Sequence, residues 1–325
     1  MYEHDNRVVM TLDAGGTNFV FSAIKGCELV IAPVCLLSVP DDLDRCLSVL
    51  VEGFCRIKDS LSEAPVAISF AFPGPADYEH GVIGDLPNFP AFCGGVALGP
   101  FLEEKFGIPV FINNDGNLFA YGEALSGVLP QVNRELEAAG NPKRYKNLLG
   151  ITLGTGFGAG VVINNCLLTG EDTDAFTPKD IFDIAEGMRA GNREAAIRCF
   201  DEMGEMAGAA IVNALNMVDG IVVIGGGLSG ASKYILPGML REMNRSISTF
   251  AGLNFKCLQS EVYNLMDDAE RSLFLENKSR MVKVPFADKY AVYDCSKKIG
   301  IMISSLGASK AIALGAYAYA LSRLQ

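Results

Sequence analysis

The sequence feature that most constrains the fold is a short apolar run that ends in one carboxylate, two glycines and a hydroxyl. Val8 to Leu12 predicts a buried strand, because the run is too short for a helix and is bounded by turn residues. Asp13 follows, and then Gly15 and Gly16, whose backbone N–H groups are uncovered and let an anion approach. Asn18 to Ile24 resumes a strand. The stretch predicts a β-hairpin and leaves open whether its turn binds phosphate or is only a tight turn.

A second stretch repeats this pattern in its chemistry, although not in its letters. Residues 147–163 again read as strand, turn and strand, and the turn contains Gly154, Thr155 and Gly156. Two such hairpins, each followed by further strands and helices, indicate a duplicated α/β fold.

A third glycine-rich turn follows a strand late in the chain. The strand at 220–224 runs into Gly225 to Gly230. Its position and spacing do not fit the G-x-G-x-x-G of a dinucleotide fold, and no G-x-x-x-x-G-K-[ST] motif occurs. Three turns of this kind supply many backbone N–H donors around a small volume, which suits a polyphosphate.

Two aspartates lie at the ends of predicted strands. Asp115 follows a strand at 108–113 and suits the role of general base, which accepts the proton of an acceptor hydroxyl in phosphoryl transfer. The alternative is that Asp115 only caps a helix predicted to begin at Leu118. Asp13 suits Mg²⁺ held through water beside the phosphates, because Mg²⁺ prefers oxygen ligands and retains waters.

The remainder of the chain predicts mixed helices and strands. Leu29 to Ser38 reads as one strand and Asp42 to Ser60 as a helix with apolar residues at helical spacing. Residues 130–147 read as a charged connection, and residues 250–298 as irregular apart from a strand at 281–285. The last stretch, up to Leu324, is a helix rich in small residues that suits close packing on a partner.

Composition excludes several classes of protein. A net charge of −11 argues against nucleic-acid binding, because no basic stripe would neutralise backbone phosphates. No run of 18 apolar residues occurs and the first residues do not resemble a signal peptide, so we expect a cytoplasmic protein without a membrane span. The nine cysteines are scattered, which predicts buried free thiols, and with only two histidines a zinc site is not expected.

Four motifs in this order resemble those of a known superfamily. The segments Asp13-Ala-Gly-Gly-Thr17, Asn114-Asp115-Gly-Asn117, Leu153-Gly-Thr-Gly-Phe-Gly-Ala-Gly160 and Ile224-Gly-Gly-Gly-Leu-Ser229 are similar to the phosphate-one, connecting, phosphate-two and adenosine motifs of sugar kinases, actin and heat-shock chaperones. Within that superfamily the chain resembles the ROK family of repressors and sugar kinases, which includes glucokinases, fructokinases and N-acetylhexosamine kinases. The resemblance covers nearly the whole chain.

This resemblance implies two ribonuclease-H-like (actin-like) α/β domains with ATP in the cleft between them. The first domain would comprise residues 1–116 and 309–325, and the second residues 117–308. Asp115 matches the catalytic base of the family, and Gly74, Asn88, Asn114 and Asp115 match its hexose contacts. The phosphates and the nucleoside of ATP would be held by residues of the three glycine-rich turns: Asp13, Gly15, Gly16, Thr17, Asn18, Gly154, Thr155, Gly156, Gly226, Gly227 and Ser229.

The chain departs from the family after the second hairpin. ROK kinases carry a Glu-x-Gly-His segment there that grips the sugar, usually followed by a zinc-binding Cys-rich stretch, and residues 167–180 contain neither. Either this is a zinc-free subgroup with a reduced sugar wall, or a segment is missing near Gly170. Glu171, Asp172 and Asp174 are either a replacement for the missing carboxylate or part of a solvated loop.

The resemblance predicts ATP-dependent phosphorylation of a hexose, with ATP and Mg²⁺ required. The alternative is a non-catalytic protein that binds sugar or ATP and has a regulatory role. A DNA-binding regulator of this family would carry a helix-turn-helix domain, which is not expected here because seven residues precede the first strand and the net charge is −11. Members of the family are commonly dimers, and a homodimer is therefore predicted.

Overall fold

The computed structural model describes residues 2, 4–15, 17–86, 89–153, 157–168, 185–186 and 193–324. Its first part contains β1 (Val9–Ala14), β2 (Asn18–Lys25), β3 (Glu28–Leu29), β4 (Val34–Leu37), α1 (Leu43–Ser60), β5 (Ala67–Ala71), β6 (Ala76–Asp77), β7 (Val82–Ile83), a 3-10 turn (Pro90–Phe92), α2 (Leu98–Phe106), β8 (Val110–Asn113), α3 (Asp115–Ser126) and α4 (Val128–Ala138). Its second part contains β9 (Leu148–Leu153), β10 (Phe157–Ile163), β11 (Cys166–Leu168), α5 (Arg193–Met217), β12 (Ile221–Gly225), a 3-10 turn (Gly227–Ala231), α6 (Ser232–Met243), β13 (Ser246–Ser248), β14 (Asn254–Lys256), β15 (Glu261–Asn264), α7 (Asp268–Leu275), β16 (Arg280–Lys283), β17 (Tyr290–Tyr293), β18 (Lys298–Ile303) and α8 (Ala308–Arg323).

The first sheet confirms the predicted hairpin at its centre. Strands β1 and β2 pair antiparallel, with Asp13 opposite Val20, and the sheet order is β3-β2-β1-β5-β8 with β4 also on β2. Strands β1, β5 and β8 are parallel neighbours. Helix α1 confirms the periodicity seen in the sequence, since its buried residues Cys46, Leu50, Phe54 and Ile57 fall on one face.

The second sheet repeats the topology of the first. Its order is β11-β10-β9-β12-β18-β15, in which β9 and β10 form an antiparallel hairpin and β12 and β18 continue in parallel. The hairpin and its two parallel neighbours therefore occur in both sheets, as the repeated pattern in the sequence predicts.

Helices α3 and α8 cross at a point where their backbones touch. A Cβ atom on Gly122 would lie 1.9 Å from the carbonyl oxygen of Ala311, and one on Gly315 would lie 1.8 Å from that of Leu118. The small residues of the C-terminal helix thus pack on a helix of the same chain. Helix α8 also packs on strands of the first sheet, whereas α3 packs on β9 and β10 of the second. The division at residues 116 and 309 stays a prediction.

Four expectations about secondary structure need correction. Helix α3 begins at Asp115, three residues before Leu118, because the asparagines before it cap its first turn. The expected connection at 130–147 contains α4, in which Pro130 lies in the first turn, where no intrahelical N–H bond is needed. Strand 29–38 is broken into β3 and β4. Region 250–298 contains the strand expected at 281–285, as β16, but it is not otherwise irregular, since it also contains β14, β15, α7 and β17.

The cysteines are free, as expected, but most are not buried. Six of the nine are exposed, two are half-buried and only Cys46 is buried, and burial raises the pKa of that thiol to about 11. Within the described ranges we find no helix with the length and apolar character needed to cross a membrane.

Candidate active site

Asp13 and Asp115 lie at the same edge of the first sheet. Asp13 on β1 is level with Ala71 on β5, and Ala71 is level with Asn113 on β8. Because the three strands are parallel, their carboxyl ends meet at this edge, and Asp115 follows Asn113 by two residues. The sheet therefore brings together the two carboxylates that the sequence singles out.

The start of helix α3 is fixed by two asparagine side chains. The Oδ1 atom of Asn114 accepts hydrogen bonds from the backbone N–H groups of Gly116 at 2.7 Å and Asn117 at 3.2 Å. The Oδ1 atom of Asn113 accepts from the Asn114 N–H at 2.8 Å and from Nδ2 of Asn117 at 3.1 Å. Asn114 is thus the helix cap, and Asp115 is the first helical residue. The alternative interpretation of Asp115 as the cap is wrong.

Sequence reasoning gave no role to Asn113 and Asn117, although both are buried and hold the helix start in place. The signal that would have found them is their spacing of four residues, which allows two side chains to meet across the first turn of a helix.

Asp115 is reached by solvent, yet protein surrounds its carboxyl on most sides. Desolvation raises the pKa of Asp115, and the negative charge of Asp13 adds a smaller rise. The backbone N–H groups of Gly116 and of Asp115 itself lower the pKa in opposition, the former donating to Oδ1 at 2.8 Å. A carboxylate that is both accessible and raised in pKa suits proton transfer.

The first hairpin closes tightly beside Asp13. The N–H of Gly15 donates to the carbonyl oxygen of Asn18 at 3.0 Å, and a Cβ atom on Gly15 would lie 2.9 Å from that oxygen. Close approach, and not a positive φ, therefore requires glycine at Gly15. Thr17 and Asn18 are exposed at the turn, and Gly16 lies outside the described residues.

The second hairpin packs directly on the helix that begins with Asp115. A Cβ atom on Gly160 of β10 would lie 2.4 Å from the carbonyl oxygen of Gly116 and 2.8 Å from Cα of Asn117. Backbone therefore meets backbone where β10 crosses the first turn of α3. The turn residues Gly154, Thr155 and Gly156 lie outside the described part of the chain.

The third glycine-rich turn packs against the strand that leads into the second hairpin. Gly226 has a φ of +92°, and a Cβ atom there would lie 2.3 Å from the carbonyl oxygen of Leu153. The N–H of Ser229 donates to the Gly226 carbonyl at 3.0 Å. Gly227 differs, because no atom of the described residues lies within 4 Å of the position its Cβ would take. That side of Gly227 has room for a ligand.

A cavity of about 550 Å³ opens between the first turns of α5 and α6, next to this third turn. Tyr234 lines it and stacks on Phe200 with ring centroids 6.3 Å apart. Lys233 also lines it, and its Nζ lies 2.9 Å from a carboxylate oxygen of Glu186. The size is within the range of small-molecule sites, which is about 300–1,000 Å³.

The residues matched to sugar contacts are only partly described. Gly74 follows β5 and is half-buried, and Asn114 caps α3. Asn88 lies outside the described residues, but its neighbour Phe89 is buried, with ring centroids 5.1 Å from Phe72 and 6.0 Å from Phe19. Phe89 anchors that loop to the core of the first sheet.

No cluster of three or more His, Cys, Asp or Glu side chains that could hold a metal ion occurs in the described ranges. The carboxylate of Asp13 at the sheet edge fits Mg²⁺, which is usually bound by one or two carboxylates together with waters and substrate phosphates.

Comparison with known proteins shows to which family a chain with these features belongs. The profile of the ROK family matches residues 9–175. A crystal structure of a glucokinase from Parabacteroides distasonis is 55% identical, covers 99% of both chains and superposes with a TM-score of 0.84. Its match confirms the α/β fold with two actin-like domains.

Curated relatives match over parts of the chain. A glucokinase from Thermotoga maritima is 31% identical over 162 residues, which are 50% of this chain and 46% of that protein. A xylose repressor from Bacillus spizizenii is 37% identical over 75 residues, which are 23% of this chain and 16% of that protein. The chain therefore spans less than half the length of either curated relative. From the family profile and the full-length match to a solved glucokinase, we conclude that this chain belongs to the ROK family.

Proposed function

We propose that this chain transfers the γ-phosphoryl group of ATP to a hydroxyl group of a hexose, with Asp115 as the general base. The observation that carries the proposal is the position of Asp115, an accessible carboxylate of raised pKa beside Asp13, in a chain that matches a glucokinase from end to end. The T. maritima relative, also a glucokinase, supports the same reaction.

In this reaction Asp115 accepts the proton of the attacking hydroxyl. The hydroxyl oxygen forms a bond to the γ-phosphorus, the bond between that phosphorus and the β,γ-bridging oxygen breaks, and ADP leaves. A base is most effective when its pKa lies near the working pH, so the desolvation of Asp115 favours the transfer. Asn113, Asn114 and Asn117 hold the first turn of α3 and so fix the direction of the carboxylate.

The three glycine-rich turns would hold the nucleotide. We assign the phosphates to Gly15, Gly16, Thr17 and Asn18 of the first hairpin and to Gly154, Thr155 and Gly156 of the second. We assign the nucleoside to Gly226, Gly227 and Ser229. The adenine ring would lie in the cavity beside Tyr234. Asp13 would hold Mg²⁺ through water, and the ion would neutralise charge on the phosphates.

The sugar would lie on the side of Asp115 away from the second hairpin, with Gly74, Asn88 and Asn114 as its contacts. The hexose is of the glucose, fructose or N-acetylhexosamine type. The short connection at Gly170 has two explanations, which the mass of the protein isolated from its source distinguishes. A mass of 34.7 kDa favours a subgroup with a reduced sugar wall. A larger mass favours a missing segment.

The test is a coupled assay of ADP release with a panel of hexoses, each with Mg²⁺ and with EDTA. The proposal expects turnover that requires one of the hexoses, is lost with EDTA and returns with added Mg²⁺. ADP release that is independent of every hexose would contradict it.

The second candidate is a non-catalytic ROK protein that binds sugar or ATP for regulation, which the similarity to a repressor supports. It predicts saturable binding of a hexose, measured by calorimetry, without turnover in the assay.

Under the kinase proposal, ATP as the donor and nine free cysteines suit a reducing, cytoplasmic compartment. We also propose the division into residues 1–116 with 309–325 and 117–308, and a homodimer.

A further inference from the structure

Residues 38–40, called segment 38–40 below, lie between the turn of the first hairpin and the loop that carries Asn88. The segment directly follows β4, which pairs with β2 and ends beside that turn. The N–H of Ser38, a fully buried residue, donates to the carbonyl oxygen of Thr17 at 3.1 Å. One side of the segment is therefore fixed to the turn to which we assign phosphates of ATP.

The other side of segment 38–40 contacts the loop to which we assign the sugar. The carbonyl oxygen of Pro40 accepts a hydrogen bond from the N–H of Ala91 at 3.2 Å. Ala91 lies in the 3-10 turn three residues after Asn88. Within the same loop, the ring of Phe89 stacks on that of Phe19 on β2, with the two planes 10° apart. The segment thus joins the phosphate turn to a loop that itself packs on the first hairpin.

Val39, at the centre of the segment, has a backbone conformation that valine disfavours. Its φ is +49°, in the left-handed region, where a β-branched residue is an outlier. The next residue is Pro40, and a residue before proline is normally restricted to extended backbone. Two separate restrictions therefore oppose the conformation that Val39 adopts.

Backbone hydrogen bonds on three sides hold Val39 in this conformation. The bonds of Ser38 and Pro40 fix the residues before and after it, and its own carbonyl oxygen accepts from the N–H of Asp42 at 3.4 Å. Asp42 caps α1, so the third bond leads to the start of a helix. A disfavoured conformation persists only where the surrounding structure fixes it, and such residues cluster at functional sites. The conformation of Val39 therefore points to a role in the site that lies on either side of it.

The relation between the turn and the loop matters because phosphoryl transfer depends on distance. Under the proposed function, the turn at Thr17 holds the donor phosphates and the loop of Asn88 holds the acceptor hexose. Reacting atoms must lie about 3–3.5 Å apart, and a misplacement of about 1 Å can lower a rate by about a hundredfold. A link that fixes the turn relative to the loop therefore acts on the rate of transfer, whereas each substrate is bound by its own groups.

We propose that Val39 is a positioning residue, whose left-handed backbone holds the phosphate turn and the sugar loop at the separation that phosphoryl transfer needs. This inference rests on the proposed function, because it concerns the ATP and the hexose of that reaction. The role belongs to the backbone, since all the bonds that fix the segment are made by backbone atoms. Glycine and asparagine, which adopt a positive φ more readily, can therefore replace valine, whereas proline, with φ fixed near −65°, cannot.

The test measures hexose-dependent ADP release by the full-length chain, and the dissociation constants of the hexose and of ADP, each alone, by calorimetry. Val39→Pro is expected to lower kcat by about ten- to a hundredfold, with both dissociation constants within about twofold of the wild type. Val39→Gly and Val39→Asn are expected to keep kcat within about threefold. The matched control is Phe286→Pro, which makes the same backbone change at a φ of +59° on an exposed hairpin of the second half and should keep the wild-type rate.

A second variant makes the test independent of whether Val39→Pro folds. Ala91→Pro removes the N–H that donates to Pro40, and proline suits this position because the first turn of a helix needs no N–H bond of its own. It is expected to lower kcat by about five- to tenfold at unchanged dissociation constants. Binding of the hexose without nucleotide is expected to slow hydrogen exchange in wild-type peptides that contain Thr17 or Ser38, and not in those of Ala91→Pro.

Three results would overturn the inference. The first is a wild-type kcat in Ala91→Pro or in folded Val39→Pro. The second is a loss of kcat in Val39→Gly and Val39→Asn as large as in Val39→Pro, which would assign the effect to the side chain. The third is exchange near Thr17 that the hexose does not change in the wild type. A wild type without hexose-dependent ADP release would instead contradict the proposed reaction, and the exchange measurement would still decide whether the loop and the turn are linked.

Discussion

The two sheets share one topology but differ in what stands at the ends of their strands. In the first sheet, β1 ends near Asp13 and β8 runs directly into Asn114 and Asp115. In the second sheet the corresponding strands are β9, which ends at Leu153, and β18, which is followed by Ser304. The first half therefore presents carboxylates beside its glycine-rich turn, and the second presents glycines and a hydroxyl. Under the proposed function both halves hold the phosphates, but only the first supplies the base and only the second holds the nucleoside.

The helices that follow these strands differ in the same way. Helix α3 begins with Asp115 behind the Asn114 cap, whereas α8 begins after Gly307 without a side-chain cap. Ser304 accepts a hydrogen bond from the Gly307 N–H at 3.1 Å and donates one to the buried carboxylate of Glu123 on α3. Ser304, which corresponds in the second half to Asn114, thus links α3 to the start of α8. It has no role in the proposed reaction.

The largest effect is expected at Asp115. Asp115→Asn removes the proposed base while it keeps the size of the side chain, so hexose-dependent ADP release should fall by about 10²–10⁴-fold. Asp77→Asn, at an exposed carboxylate of the first half, should leave the rate within about twofold of the wild type. Equal rates for wild type and Asp115→Asn across the hexose panel would remove Asp115 from the mechanism.

A smaller effect is expected where β10 of the second half contacts the first turn of α3, which carries Asp115. Gly160→Ala places a methyl group against the Gly116 carbonyl and should move the first turn of α3, lowering the rate by about ten- to a hundredfold. Unfolding in denaturant should show a loss of about 1–3 kcal/mol from overpacking. Gly158→Ala meets the hydroxyl of Thr152, a side chain that can rotate, and should cost less in both measurements. The reverse order would mean that the contact between the halves does not position Asp115.

Ser304→Ala should affect stability and not chemistry. Burial raises the pKa of Glu123, and the hydrogen bonds from Ser304 and Val128 oppose that rise. Without the Ser304 hydroxyl one buried carboxylate oxygen loses its partner, at a cost of about 1–3 kcal/mol in the free energy of unfolding. The turnover number should stay within about twofold, and Ser305→Ala, at the exposed neighbour, should change neither quantity. A large loss of turnover at unchanged stability would give the second half a catalytic role.

The smallest effect is a dependence of stability on pH. The pKa of Asp115 is higher in the folded chain than in the unfolded chain, so its ionisation lowers stability as the pH rises through the folded value. Asp115→Asn should therefore unfold at a higher temperature than the wild type at pH 7, and the difference should shrink towards pH 4. Asp77→Asn should shift the other way, because the hydrogen bonds from His80 lower the pKa of Asp77. A gap that grows on acidification would contradict the assigned direction.

The sequence alone was enough to predict the features that rest on local pattern. The hairpin of β1 and β2, the helix α1 and the repeated hairpin follow from apolar periodicity and from glycines at turns. The position of each aspartate at the end of a strand also followed from the sequence, whereas their common edge became visible only with the parallel register of β1, β5 and β8.

Features that depend on contacts between distant residues were not predicted. The start of α3 was placed at Leu118 because the bonds of Asn113 and Asn114 to its first turn are visible only in three dimensions. Helix α4 was missed because Gly127 and Pro130 resemble a break. The hairpins at 246–256 and 280–293 were missed apart from the strand at 281–285, because their strands have no buried face, and without one the alternation that marks a strand disappears.

The division of labour between the halves is tested most directly by kinetics of two variants in parallel, Asp115→Asn and Gly227→Val. A Cβ atom added at Gly227 has no described atom within 4 Å, so we expect the added side chain to act on a ligand that approaches this turn. We predict that Gly227→Val raises KM for ATP by about tenfold with little change in kcat, and that Asp115→Asn lowers kcat with little change in KM for ATP. If Gly227→Val leaves KM for ATP unchanged, or if Asp115→Asn acts only on KM, the proposed roles of the two halves are wrong.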